Sequence, residues 1–246
     1  MKNILVITHE RAGTHLTINI INHNNNGDFK AIGKLPPNER NFDLEHYLLY
    51  ANLDIQYQTP QPNIVFKSHH QVEFFEKNID KLFTNFHIIY VQRDIKDVLV
   101  SYYKFLNGHG WDDNGNSLPI KDFPEINDWV FMKPCDVGYK YFEKYPDPHI
   151  YVEPLTYVHR YLNHINGWKK YEDKLLWIHY EDILNNFDTI KDKIENYIGR
   201  DIANSIPDLH DKQLPNFAPN AGIIGAYIDY LTDDTVIKIK EITNEA

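Results

Sequence analysis

The chain has 246 residues, 42% hydrophobic and 14% aromatic, enough for one sizeable core without demanding two domains. Lys plus Arg number 25 against 35 Asp plus Glu, a formal net charge of −10, which argues against a nucleic-acid backbone as the main partner. A small anionic ligand in a local positive pocket remains compatible with that balance. The lone cysteine, Cys135, rules out an intramolecular disulfide, fits a reducing compartment and has no base beside it in sequence, so it reads as structural. The 13 histidines are scattered. His69 and His70 are adjacent and point to opposite faces of a strand, a poor start for a metal site.

In chain order, residues 4–8 read as a first strand. That apolar run is too short for a signal sequence or a membrane span, so a soluble, cytoplasmic protein with no membrane partner is expected. Residues 14–22 read as a helix and 22–28 as a polar turn. Residues 29–62 carry no clean period apart from a possible helix over 44–52. A second strand over 64–68 precedes a helix over 72–83. A third, β-branched and aromatic strand from Ile88 ends on Arg93 and turns at once into a helix. Asp94 sits where its N-cap belongs, with Asp97 three residues later, and Ile95, Val98, Leu99, Tyr102, Phe105 and Leu106 form its apolar face.

Residues 107–124, rich in Gly, Asp, Asn and Pro, read as a long loop of the kind that often serves as a lid or binding segment. Helical patterning returns over 125–145 and 156–171. A fourth strand over 175–179 runs into Tyr180-Glu181-Asp182 and a helix over 183–198 that closes at Gly199. The stretch 207–221 is irregular, and a last helix spans 233–242. Strands alternating with long helices predict βαβ units on a parallel sheet, hence a single three-layer α/β/α domain over 1–246.

The chemistry gathers at the ends of the four strands, where open α/β sheets bind ligands. After the first comes His9-Glu10-Arg11-Ala12-Gly13-Thr14-His15, a small-residue turn whose backbone N–H groups at a helix start suit an anion, with Arg11 adding charge and Thr14 a hydroxyl. It lacks the G-x-x-x-x-G-K-[ST] pattern of a nucleotide P-loop. The second strand ends in Lys67-Ser68-His69, whose lysine and histidine share one face. Histidine is the usual proton acceptor near neutral pH. The third end supplies the cation Arg93, and the fourth supplies Tyr180, while Glu181 and Asp182 suit the first turn of the next helix.

These segments, in this order, resemble the sulfotransferases that use 3′-phosphoadenosine-5′-phosphosulfate (PAPS). Arg11 to Leu16 is similar to that family's K-S-G-T-T-W loop, and Lys67-Ser68-His69 to its K-T-H strand end. Tyr90 to Tyr103 follows its Y-V-x-R-N-P-K-D-V-x-V-S-Y-Y segment almost residue for residue, and Tyr180-Glu181-Asp182 matches its Y-E-D. The resemblance implies a P-loop-NTPase-like α/β/α fold and sulfuryl transfer from PAPS to a hydroxyl or amine, leaving 3′-phosphoadenosine-5′-phosphate (PAP). It implies His69 as general base, with Lys67 and Arg11 on the sulfonate and leaving phosphate and no metal required. It implies a cofactor seat of Arg11, Ala12, Gly13, Thr14, His15, Arg93, Ser101, Tyr180 and Gly222. Ser101 lies about 10–12 Å beyond Arg93 along the helix, so the helix must run beside the cofactor for both to reach one phosphate.

The sequence departs from the family pattern in three places. Arg11 replaces a lysine, keeping the charge with different donor geometry. Leu16 replaces the tryptophan implied to stack on adenine. Asn220-Ala221-Gly222-Ile223-Ile224-Gly225 stands where the family carries R-K-G-x-x-G, with both cations gone. Each lost charged hydrogen bond is worth about 1.5–3 kcal/mol, so weaker PAPS affinity is expected unless a nearby cation such as Lys212 substitutes. The expected partner is a small-molecule or glycan acceptor, held by segments 35–60 and 107–131. Trp111, Phe123, Trp129 and Phe131 there are candidates for a pocket or for ordinary packing. A monomer or homodimer fits equally. The competing readings are a P-loop-type small-molecule kinase and a non-catalytic nucleotide-binding domain of the same fold.

Overall fold

The computed structural model describes residues 2–22, 39–41, 65–107, 110–111, 117–118, 123–133, 155–206 and 222–244. The chain divides into two compact units, Met1–Arg93 with His164–Asn216, and Asp94–Asn163 with Phe217–Ala246.

The first unit is built on a five-stranded, all-parallel sheet. Its strands are β1 (Asn3–Thr8), β2 (Glu39–Asn41), β3 (Val65–Ser68), β4 (Phe86–Gln92) and β7 (Leu176–His179), in the order β2-β3-β1-β4-β7. Every residue of β1 is buried, as expected of a central strand covered on both faces. Alternation at period two divides its side chains. Leu5 and Ile7 join Phe66, Ile88, Tyr90, Phe75, Leu82 and Trp168 in one core cluster. Ile4 and Val6 join Ile89, Val91 and Ile178 in the other, with Leu16 and Ile20 of helix α1 (Thr14–Asn22). That second cluster also takes Ile190, Ile194 and Ile198 of helix α7 (Phe187–Ile198), spaced four apart to form one apolar stripe. Helices thus cover both faces of the sheet, as the three-layer reading predicts.

Bounds in this unit match expectation for α1 and within a residue for strands β1, β3 and β7. Three differences have local causes. The expected helix over 72–83 is two 3₁₀ turns, Val72–Phe74 and Glu76–Asn78, followed by helix α2 (Ile79–Asn85). The tighter winding lets adjacent Phe74 and Phe75 meet edge to face at 5.0 Å, with Phe75 reaching Trp168 in the core. The expected helix over 183–198 starts earlier, as α6 (Tyr180–Asn185), breaks at Asn186, and resumes as α7 before the left-handed Gly199. Strand β2 lies in the segment where no period is legible.

In the second unit, helix α3 (Ile95–Asn107) begins as expected: the Lys96 N–H donates to Asp94 Oδ1 at 2.8 Å. The buried Asp97 carboxylate accepts the backbone N–H groups of Gly225 at 2.8 Å and Tyr227 at 3.1 Å, anchoring a segment far along the chain. Trp129, on the short helix α4 (Ile126–Trp129), is fully buried and stacked on Tyr157 at 3.8 Å, so it is core here and not pocket lining. A small antiparallel pair, β5 (Gly110–Trp111) with β6 (Ser117–Leu118), falls in the expected loop. Helix α5 (Tyr157–Lys169) starts in this unit and ends in the first. Helix α8 (Asp233–Thr243) is capped by the Thr232 side chain. The helix expected over 125–145 is seen only as α4, and residues 134–145, with Cys135, lie outside the described residues, as do 44–52, Lys212, Asn220 and Ala221.

Candidate active site

The four strand ends named from sequence lie side by side in the first unit, in the order β3, β1, β4, β7. Registers of Ile7 with Ser68, Thr8 with Val91 and Gln92 with His179 bring those ends level. The chain leaves β1 for β2 and β3 on one side of it and then crosses to β4 and β7 on the other, which makes this the switch point of the sheet.

The turn after β1 is shaped by two residues of positive φ, Arg11 at 68° and Gly13 at 107°. Helix α1 opens with the Thr17 N–H donating to the Gly13 carbonyl at 3.1 Å. The Ala12 N–H donates to the His9 carbonyl at 3.2 Å, while the N–H groups of the first turn of α1 have no acceptor within the helix, the kind of helix N-terminus that favours an anion. Gly13 is irreplaceable by geometry, since a Cβ there would run into the Tyr180 ring, 2.8 Å from Cε2. Thr14 is buried and its hydroxyl pairs with that of Thr8 at 2.6 Å.

Thr8, the polar end of an apolar strand, was not singled out from sequence, yet it organises the site. Its carbonyl lies 3.0 Å and its hydroxyl 3.2 Å from Nδ1 of His69. A carbonyl oxygen only accepts, so His69 carries a hydrogen on Nδ1, and in the neutral ring Nε2 is the nitrogen without a hydrogen. His70 goes to the opposite side, its ring against Phe74 at 3.9 Å and its carbonyl accepting from Trp168 Nε1 at 3.1 Å. Among the described residues no three His, Cys, Asp or Glu side chains gather as a metal site.

Lys67 is buried and its ammonium lies 3.2 Å from Nε2 of His15. The His15 imidazole is pushed down to about 3, first by desolvation and then by the positive charge of Lys67, His69 and Arg11. His15 is nonetheless an exposed residue. Arg93 is also buried; it donates from Nη1 to the Arg11 carbonyl at 3.4 Å and lies over the Tyr180 ring at 4.5 Å. One guanidinium thereby links the ends of β4, β1 and β7. Tyr180, only 3% exposed, backs both Gly13 and Arg93.

Arg11, Ala12, Gly13, Thr14, His15, Lys67, His69, Arg93 and Tyr180 therefore all belong to the first unit, while Ser101, on α3, and Gly222, of positive φ, belong to the second. Leu16 points into the core and has no face for a base to stack on.

A model of the sulfotransferase domain matches residues 1–216. The chain belongs to the sulfotransferase domain family. Among curated proteins it is 26% identical over 209 residues to sulfotransferase 1 family member D1 of Mus musculus, covering 83% of this chain and 61% of that protein. The chain thus spans less than two thirds of that relative's length. Of solved structures, mouse sulfotransferase SULT7A1 complexed with PAP superposes with a TM-score of 0.60 at 15% identity, covering 99% of this chain and 84% of the other. Retinol dehydratase in complex with androsterone and inactive cofactor PAP gives 0.58 at 18% identity, covering 100% and 81%. These likenesses establish the fold.

The left-handed backbone at Arg11 has a measurable consequence. Such a conformation costs a non-glycine residue about 1–2 kcal/mol, against about 0.5–1 kcal/mol for the extra chain entropy of glycine. Arg11→Gly is therefore expected to raise unfolding stability in urea by roughly 0.5–1 kcal/mol while weakening anion binding at the turn. A variant less stable than wild type would show that the Arg11 side chain holds the turn together.

Proposed function

We propose that this chain transfers a sulfuryl group from PAPS to a hydroxyl or amine of a small-molecule or glycan acceptor. The observation that carries this reading is the Thr8 carbonyl 3.0 Å from Nδ1 of His69, which puts the ring hydrogen on Nδ1 and makes Nε2 the basic nitrogen of the neutral ring. Residues 1–246 are taken as a single sulfotransferase domain, a reading supported by a family match over residues 1–216, which takes in the first unit and the Asp94–Asn163 part of the second.

In this reading PAPS supplies an activated sulfonate with PAP as its leaving group. His69 Nε2 takes the acceptor's proton as the acceptor oxygen or nitrogen bonds to sulfur. The bond from sulfur to the bridging oxygen breaks, and its electrons stay on the 5′-phosphate. Charge spreads over the non-bridging oxygens in such transfers, and fixed donors that meet it there stabilise the transition state. In this reading the backbone N–H groups from Gly13 to His15, with Arg11 and Lys67, meet that charge, and no metal is required. Arg93 is assigned to the 3′-phosphate. Tyr180 shapes the adenosine seat by backing Gly13 and holding the Arg93 guanidinium.

The test is transfer of labelled sulfonate from PAPS to a panel of phenols, steroids, amines and sugars in buffer containing EDTA. Labelled product from at least one acceptor class is the expected result. Phosphoryl transfer from ATP that requires magnesium, with no turnover of PAPS, would overturn the reading in favour of a kinase.

A further inference from the structure

Thr8, the fully buried last residue of β1, meets two other parts of the first unit through its own oxygens. The pairing of β1 with β3 sets it beside His69, just after β3, with its carbonyl 3.0 Å and its hydroxyl 3.2 Å from Nδ1. The same hydroxyl lies 2.6 Å from that of Thr14, the buried first residue of α1. Counting hydrogens gives these contacts a direction. The carbonyl can only accept, so the Nδ1 hydrogen is shared between the two Thr8 oxygens and the hydroxyl accepts there as well. A fully buried hydroxyl is costly to leave unmatched, so its own single hydrogen goes to Thr14 Oγ. The series therefore runs from His69 Nδ1–H to Thr8 Oγ–H to Thr14 Oγ.

We infer that Thr8 is a positioning residue: its two oxygens fix the tautomer and the rotation of the His69 ring, and its hydroxyl ties that ring to the start of α1. The torsion that turns a histidine ring has broad wells, and a single acceptor holds only one point of the ring. A second acceptor, from another direction on the same rigid strand end, resists rotation about that point. The Thr8 hydroxyl can do this because Thr14 takes its hydrogen and leaves its lone pairs toward Nδ1. The inference rests on the proposed sulfuryl transfer for the use of Nε2 as a base, whereas the placement of hydrogens around Thr8 stands apart from it.

The experiment compares Thr8→Val, which keeps the β-branched shape and deletes the hydroxyl, with Thr8→Ser, which keeps the hydroxyl; the carbonyl remains in both. In turnover of PAPS, Thr8→Val is expected to lose about 10–100-fold in kcat with KM for PAPS and acceptor within about threefold, the mark of a misaligned group. Thr8→Ser is expected to recover most of that loss. ¹⁵N NMR of the full chain labelled at histidine reads the ring itself. The neutral wild-type ring of His69 should carry its hydrogen on Nδ1, and that hydrogen should exchange with solvent about tenfold faster in Thr8→Val but not in Thr8→Ser. Equal losses of kcat in the two variants, no loss in either, or a wild-type ring with its hydrogen on Nε2 would overturn the inference. Absence of PAPS turnover in the wild type sinks the proposed function alone, and the spectrum and exchange rates still decide whether Thr8 holds His69.

Discussion

Replacing His69 with asparagine is expected to lower kcat by roughly 10²–10⁴-fold, the usual range for loss of a positioned general base. PAP affinity should stay within about threefold of wild type. The asparagine amide can still donate to the Thr8 carbonyl, which His69 Nδ1 contacts at 3.0 Å, so the strand end keeps its shape while the basic Nε2 is gone. The cations of the seat, Lys67, Arg11 and Arg93, are untouched. Measured kcat and PAP binding in the same preparation separate the two effects. A fall of less than tenfold would mean that the acceptor's proton goes elsewhere.

Gly13→Ala should be the most damaging single-methyl change in the first unit. Its φ of 107° is one that residues with a Cβ rarely adopt, and the added carbon meets the Tyr180 ring. Strain of this kind costs about 1–3 kcal/mol, and forcing a methyl into packed surroundings about as much again. PAP binding is expected to fall by at least about 100-fold, because relief requires the turn to move and its N–H groups to lose their common aim. Tyr180→Leu in the Gly13→Ala background removes the ring and should restore part of the stability, a positive coupling readable from thermal melts. Simple additivity of the two changes would show that backbone strain alone, and not the ring, excludes a side chain at this position.

Much of this site was legible in the sequence because its strands are short, apolar and β-branched and each ends abruptly in polar chemistry. Residues 4–8, 64–68 and 175–179 declared themselves that way, and so did Arg93 at the join of strand and capped helix. The motif residues Arg11 to His15, Lys67, His69 and Tyr180 follow directly from those ends. What period and spacing could not show were contacts between distant positions. The position of Asp97 suits a capping box, but spacing gives no sign that its carboxylate accepts from the backbone of Gly225 and Tyr227, more than a hundred residues away. Thr8 looked like the end of a strand, and only the adjacency of β1 and β3 brings it to His69. Trp129 carried an aromatic signal that a pocket and a core share, and burial against Tyr157 decides for the core. Strand β2 has only three residues, too few to display an alternation.

The measurement that bears most directly on the central claim is calorimetric titration with PAP, using AMP as control, on wild type and Arg93→Ala. The buried Arg93 guanidinium, braced by Tyr180 at 4.5 Å and the Arg11 carbonyl at 3.4 Å, is a fixed cation at the switch point of the sheet. Binding that prefers PAP to AMP by at least tenfold, and loses that preference in Arg93→Ala, is the predicted result; one charged hydrogen bond of about 1.5–3 kcal/mol corresponds to a factor of that size or more. Failure to bind PAP at millimolar concentration, or binding that treats PAP and AMP alike in the wild type, would contradict it.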